Sequence, residues 1–465
     1  MSSSVTNNIS IKSLYTLFKK SLSGENQDYT TGSIRKAIFL LSIPMILEMC
    51  MESVFAVVDI FFVGRVGQEA VATVALTESV LTIVYSVAIG LSMAATAMVA
   101  RRIGEKKPEE ASRAAVQAIL IALVVTVIVS IIGFIFSADI LGVMGASRQV
   151  IETGVSYTRI IFGGSVVIMM LYLINGIFRG AGNASIAMWT LFLANGLNII
   201  LCPILIHYYG VRGAGMATTI GRGAGVCFQL YHLFRGSGAV HILRKYFAPD
   251  WEIIKSVLKI AWSGTAQFLI GSASWIIMLR IISQFGNATI AGYQVAIRIL
   301  LFFLLPAWGM SNATATLVGQ NLGAKQPGRA EESVWKTAKY NAVFMAVITL
   351  LFLVAASPIV EFMNHDEAVQ KVAIQVLHIV TAGYIFYGVG MVLMNAFNGA
   401  GDTRTPTIIS LFCFWAFQIP IAYLMAIIFG WGPKGVFWAI IITETVVTIV
   451  SYLIFRKGKW KKIKV

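Results

Sequence analysis

The sequence predicts an all-α polytopic membrane protein: twelve transmembrane helices in two six-helix lobes, related by a pseudo-two-fold along the membrane normal. Three observations predict it. Apolar runs of ~20 residues or more recur along the chain, which is the length of a spanning helix. Basic residues sort onto alternate loops, and one half of the chain repeats in the other at a constant offset. Composition sets the class: 57% of the 465 residues are apolar and only 12% charged, where soluble domains carry about 25% charge. The runs lack the short alternating segments of a membrane β-barrel.

In chain order, residues 1–33 read as a polar tail with no apolar core ahead of a small-residue cleavage site, hence no removable signal. Within it, ISIKSLYTLFKKSL places Ile11, Leu14, Tyr15, Phe18 and Leu22 on one helical face, away from Lys12 and Lys19. That pattern fits a short interfacial helix, and equally a disordered tail. Spans follow at 37–63, 70–100, 113–137, 152–178, 185–207 and 213–235, which with its first turn forms a lobe over 34–235. A basic linker occupies 236–252. The second lobe, 253–456, holds spans at 253–282, 288–318, 335–357, 367–398, 405–429 and 433–456, and a basic tail fills 457–465.

Twelve is even, so both termini share a side. The two tails and the even-numbered loops hold 27 of the 36 Lys and Arg residues, which makes that side cytoplasmic by the positive-inside rule. The net charge of +15 is thereby topological, and no nucleic-acid partner is needed. Cys50, Cys202, Cys227 and Cys413 all lie in apolar segments, against a disulfide framework or a metal cluster.

The duplication is legible in the loops. FVGRVGQEAVA (62–72) aligns with IISQFGNATIA (281–291), VARRIGEKKPEEA (99–111) with VGQNLGAKQPGRA (318–330), and FRGAGN (178–183) with FNGAGD (397–402), all 219 residues apart. GVRGAG (210–215) and GPKGV (432–436) then correspond at 222, as if three residues were inserted. Six helices per repeat give both the same orientation, the parallel-repeat plan of alternating-access transporters.

A major facilitator has two six-helix halves as well, but usually carries a G-x-x-x-D-R/K-x-G-R-R/K loop after its second helix; here that loop reads RRIGEKKPEE. The order of Pro44, Asp59 and FVGRVG, the paired ARRIGEKKP and GQNLGAKQP loops, the FRGAGN and FNGAGDTRTP turns, and GVRGAGMAT instead resemble the multidrug and toxic compound extrusion (MATE) family over residues 34–456. The resemblance implies a cation-coupled antiporter of the cell (inner) membrane that needs no cofactor, and twelve helices in one chain permit a monomer. It would exchange H⁺ or Na⁺ for amphipathic or cationic small molecules through a chamber between its lobes.

The first span poses the physical question, because it carries Glu48, Glu52 and Asp59, and one Asp at the centre of a spanning helix costs about 2.5–3.5 kcal/mol. At 100° per residue, Glu52 lies ~40° and Asp59 ~20° from Glu48, on an arc climbing ~16 Å. The three acids are tolerable if that arc lines a wet or cation-occupied chamber, where they titrate as a unit. Pro44 can bend the same helix.

The resemblance places the family's first-helix aspartate on Asp59. The DinF-like branch, which this chain resembles more than the NorM-like one, adds a fifth-helix Asn and Asp. Asn198 is kept, giving with Asp59 a possible Na⁺ site, while Cys202 stands where the acid is expected and Glu52 can supply the charge. Gln267, at the repeat position of Glu48, stands near the NorM-like glutamate, and the second lobe is read as lacking any acid at mid-depth. Phe55, Cys202, Gln267, Arg298, Tyr384, Tyr387 and Met391 are the expected substrate-cavity residues, aromatic and Met walls suiting varied cations. Arg298 is expected either to pair with Glu78 or to serve as structural glue, and His378 in the tenth span reads as a functional candidate or as a packed, hydrogen-bonded residue. A lipid-linked precursor flippase shares the architecture but usually has a basic cavity. A lipid-acting membrane enzyme would need a nucleophile or metal cluster, and the sequence shows neither.

Overall fold

The computed structural model describes residues 11–24, 27–236, 238–463 and 465, with the side chains of 11–14 excepted. A short helix, α1 (Ile11–Leu22), precedes α2 (Ile34–Gly64), α3 (Gln68–Gly104), α4 (Pro108–Ile135), the short α5 (Ser137–Val143), α6 (Arg148–Gly163), α7 (Ser165–Ala181), α8 (Ala184–Tyr209) and α9 (Val211–Arg235). The second half repeats the order as α10 (Trp251–Ile282), α11 (Asn287–Gly323), α12 (Pro327–Met363), α13 (Glu367–Ala382), α14 (Tyr384–Gly399), α15 (Arg404–Ser410), α16 (Ile419–Tyr423) and α17 (Pro433–Arg456). Residues 411–418 and 424–428 join α15 and α16 into one span with wider, π-type turns. Proline stands in the first turn of α4, α12 and α17, where its missing N–H costs nothing. Asp250 and Asp366 cap α10 and α13 by accepting backbone N–H bonds.

Among the described residues, nine helices are long and apolar enough to cross a membrane, and α13 with α14 makes a tenth if counted as one bent span. Outside that count fall α2 and α9, both of which carry charge inside their apolar runs. One span expected to be continuous is broken: residues 367–398 divide at Gly383, where α13 and α14 bend by 57°. Residues 152–178 carry a one-residue interruption at Gly164, between α6 and α7, but remain one span. Both glycines lie close against the last helix of their lobe: a Cβ at Gly164 would fall 2.7 Å from Thr219, and one at Gly383 2.7 Å from Ile441. Pro44, by contrast, sits inside an uninterrupted α2.

The repeat predicted from the loops recurs in the backbone. Lys106 and Lys325, 219 residues apart, both take the left-handed conformation, with φ of 61° and 59°, uncommon for a residue with a Cβ. The change of offset to 222 is explained by the turns: Gly210 alone separates α8 from α9, whereas residues 429–432 separate the matching spans.

The lobes meet most closely at the end of the bundle that carries both termini. A Cβ on Gly104 would fall 2.0 Å from the Gln320 carbonyl oxygen, and one on Gly323 2.2 Å from that of Arg101. These are the same contact seen from both repeats. Thr316 and Gln320 of α11 donate to the carbonyls of Arg179 and Gly180 at 2.9 and 3.1 Å. Chain termini strap this closure. Arg329 donates to the carbonyls of Thr31 and Gly32, while Lys106 pairs with Asp28 at 2.8 Å. At the other terminus, Arg101 donates to Ile463 O at 2.8 Å, Arg102 to Val465 O at 3.2 Å, and Trp460 is buried against Phe455. In α1, Tyr15 and Phe18 are exposed, while Ser185 and Trp189 donate to the carbonyls of Ser21 and Leu22.

Candidate ion-coupling site

The acids of α2 turn away from the bundle exterior and against α7, α8 and α9. Glu48 is 1% exposed. Arg179 of α7 pairs with its Oε1 at 3.4 Å, and Asn175 donates to the same oxygen at 3.1 Å. Asn175 in turn accepts from Gln229 of α9 at 2.6 Å, and Arg179 also donates to Ser92 at 3.2 Å. Glu48 Oε2 is buried with no partner among the described residues. This acid is held by a neutralising network.

One turn on, Glu52 is held differently. Asn195 of α8 donates to Oε2 at 3.0 Å; Arg222 of α9 lies 3.7 Å from Oε1, and the Tyr172 hydroxyl donates to that oxygen at 3.5 Å. Arg222 is buried, donates to the Tyr85 hydroxyl at 3.1 Å, and stands 5.6 Å from the ring centres of both Phe55 and Tyr85. Phe55 thus faces an internal cation.

Asp59 completes the row. It is 8% exposed, and its Oδ1 accepts from the Cys202 thiol at 3.8 Å. No ion pair reaches it among the described residues. Glu78 of α3 and Arg222 are near enough to act on it through their charge. Glu52 with Asn195 and Asp59 with Cys202 share a separation of 143 residues, so α2 and α8 lie parallel and in register. Asn198 falls between those two contacts. Its amide donates to Thr218 at 3.1 Å, and its Oδ1 is buried without a partner among the described residues. A carboxylate takes H⁺, and an amide oxygen such as that of Asn198, one helical turn before Cys202 on α8, is a hard donor of the kind that suits Na⁺. The described residues contain no group of three or more His, Cys, Asp or Glu side chains that could hold a metal ion.

The remaining candidates are dispersed. Gln267, on α10, has a buried Oε1 without a partner among the described residues. Tyr384, Tyr387 and Met391 line one face of α14, with the two tyrosine rings stacked at 6.3 Å. Arg298 does not pair with Glu78: it is exposed and makes no hydrogen bond or ion pair among the described residues. The reason lies in the repeat, for Glu78 corresponds to Ile297, and one residue turns a side chain ~100° around its helix. His378 is likewise exposed.

Two features were missed. Arg179 and Arg222 are the internal partners of the acids, and a basic residue inside a span is itself the signal for such a role. The second lobe does hold an acid at mid-depth: Glu444, halfway along α17, is inconspicuous within the apolar run IIITETVV.

The comparisons with known proteins agree with this architecture. The MatE family model matches residues 44–204 and 265–424, one copy in each half. A probable multidrug resistance protein YoeA of Bacillus subtilis is 23% identical over 410 residues, covering 86% of this chain and 89% of its own. A probable multidrug resistance protein NorM of Thermotoga maritima is 24% identical over 455 residues, covering 96% and 97%. Among solved structures, an outward-facing multidrug resistance MATE family transporter of the MOP superfamily superposes with a TM-score of 0.90 at 26% identity, covering 94% of this chain and 99% of that one. With two matched copies spanning most of its length, the chain belongs to the MATE family of membrane transporters and is not an enzyme.

Proposed function

We propose that this protein exports amphipathic or cationic small molecules across the cell membrane in exchange for H⁺ or Na⁺, by alternating access between lobes 34–235 and 253–456. Both termini and the 236–252 linker are assigned to the cytoplasm. The relatives named as multidrug resistance proteins support the substrate class. Closure at the end carrying the termini, together with the likeness to an outward-facing relative, supports assignment of this state as outward-facing.

One observation carries the coupling assignment. Of the three acids on α2, Glu48 and Glu52 are ion-paired to arginines, whereas Asp59 meets only a thiol donor among the described residues. A carboxylate without a permanent cation must gain a proton or a cation when its surroundings dry out. Opening and closing of the chamber would therefore exchange its occupant. Asp59 takes H⁺ directly, and the Asn198 amide oxygen, one turn before Cys202 on α8, adds a hard donor that suits Na⁺. The flippase alternative is not favoured, because the first lobe is acid-lined. Transport by purified protein in liposomes, with pH and Na⁺ gradients imposed separately, tests the reading. Accumulation under at least one gradient is expected, and accumulation under neither contradicts it.

A further inference from the structure

The last helix of each lobe carries one charged residue at the same repeat position, but of opposite sign. Arg222 and Glu444 are 222 residues apart, the offset that holds for these helices. The acids around Arg222 have no counterparts in the second lobe: Glu48, Glu52 and Asp59 correspond to Gln267, Gly271 and Met278. Where Glu48 and Glu52 of the first lobe meet Arg179 and Arg222, Glu444 meets no base among the described residues.

Two close contacts fix the level of Glu444. A Cβ on Gly383 would fall 2.7 Å from Ile441, and one on Gly390 would fall 2.5 Å from Thr448 Oγ1. Both pairs are 58 residues apart, so α14 and α17 run parallel in one register. That register brings Glu444 level with Phe386 and Tyr387. Thr448, one turn further on, donates to the Phe386 carbonyl at 2.7 Å and pins the two helices. Tyr384 and Tyr387 stack at 6.3 Å and 28° on this face. Both lie within electrostatic reach of the Glu444 carboxylate, as does Cys413 from the π-type stretch 411–418. The Glu444 side chain makes no hydrogen bond or ion pair among the described residues, and the residue is only partly buried.

We propose that Glu444, with Tyr384 and Tyr387, binds the charged end of a lipophilic organic monocation in the second lobe, separate from the ion-coupling acids of the first. A carboxylate supplies the charge, and aromatic walls take a delocalised cation that has no hydrogen-bond donors. A metal ion would find too few oxygens here. The inference rests on the exporter reading for its purpose and on the second-lobe geometry for its location.

The test uses the purified full-length protein in detergent, with tetraphenylphosphonium and its neutral near-isostere triphenylphosphine oxide as probes. Glu444→Gln should weaken tetraphenylphosphonium binding about tenfold, equivalent to about 1.4 kcal/mol, and leave the neutral probe unchanged. Glu444→Asp should retain affinity within about threefold. Gel filtration and thermal unfolding establish that each variant is folded. Equal tetraphenylphosphonium affinity in wild type and Glu444→Gln, or parallel loss of both probes, overturns the proposal. Wild type that binds the cation in this Glu444-dependent way yet transports under no gradient would overturn the exporter reading and leave the site standing.

Discussion

The Glu48–Arg179 pair allows a prediction with a magnitude. Glu48 is 1% exposed and the Arg179 side chain 13%, so replacing Arg179 by Met strands a carboxylate where water scarcely reaches. Breaking a buried pair by removing one partner costs about 3–5 kcal/mol. The 3.1 Å bond from Asn175 survives, which argues for the low end, about 3 kcal/mol, or roughly 100-fold in the unfolding equilibrium. Adding Glu48→Gln removes the stranded charge and keeps a side chain that can meet Asn175. The double variant should therefore regain most of the loss. Equilibrium unfolding in mixed dodecylmaltoside and SDS micelles, followed by tryptophan fluorescence, measures wild type, the Arg179→Met and Glu48→Gln single variants, and the double. If Arg179→Met costs less than about 1 kcal/mol, or if the two losses simply add, the carboxylate is not held by this arginine and the network is misdescribed.

Further outcomes follow from the closure and its straps. Gly104→Val would place its Cβ 2.0 Å from the Gln320 carbonyl, and should bias the protein away from the closed state. Cysteines introduced on either side of that contact should then react faster with a membrane-impermeant maleimide. Unchanged reactivity would refute the role given to this approach of helices. At Asp28, burial raises the carboxyl, but Lys106 and the Thr30 hydroxyl and amide outweigh it and hold the group at about 2. Its contribution is present above the ordinary carboxylate range and is lost only as pH falls toward 2. Asp28→Asn should consequently leave the pH profile of transport unchanged between about pH 5 and 8; a shifted profile would mean that the strap takes part in proton coupling.

Much of the fold was legible in the sequence because a bilayer makes each span declare itself by apolar length and each loop by charge. The inward face of the α2 acids followed from helical rotation alone, and the α2–α8 pairing placed Asp59 against Cys202, the position singled out by its departure from the family pattern. What remained hidden depended on other helices. Whether a carboxylate meets an arginine is decided by how α7 and α9 pack, so Glu48 and Asp59 looked alike on one helix yet differ in their partners. The close approaches at Gly164 and Gly383 likewise involve Thr219 and Ile441, 55 and 58 residues downstream. The missed Glu444 was visible as a letter, but its meaning appears only beside Arg222 and the tyrosines of α14.

The difference between Asp59, which no ion pair reaches among the described residues, and its two ion-paired neighbours is tested most directly by accumulation of tetraphenylphosphonium in liposomes containing Asp59→Asn protein. With the gradient that drives wild type imposed, the variant should bind the cation and equilibrate it passively, but fail to concentrate it. Concentration to the wild-type level would show that the driving ion is exchanged elsewhere.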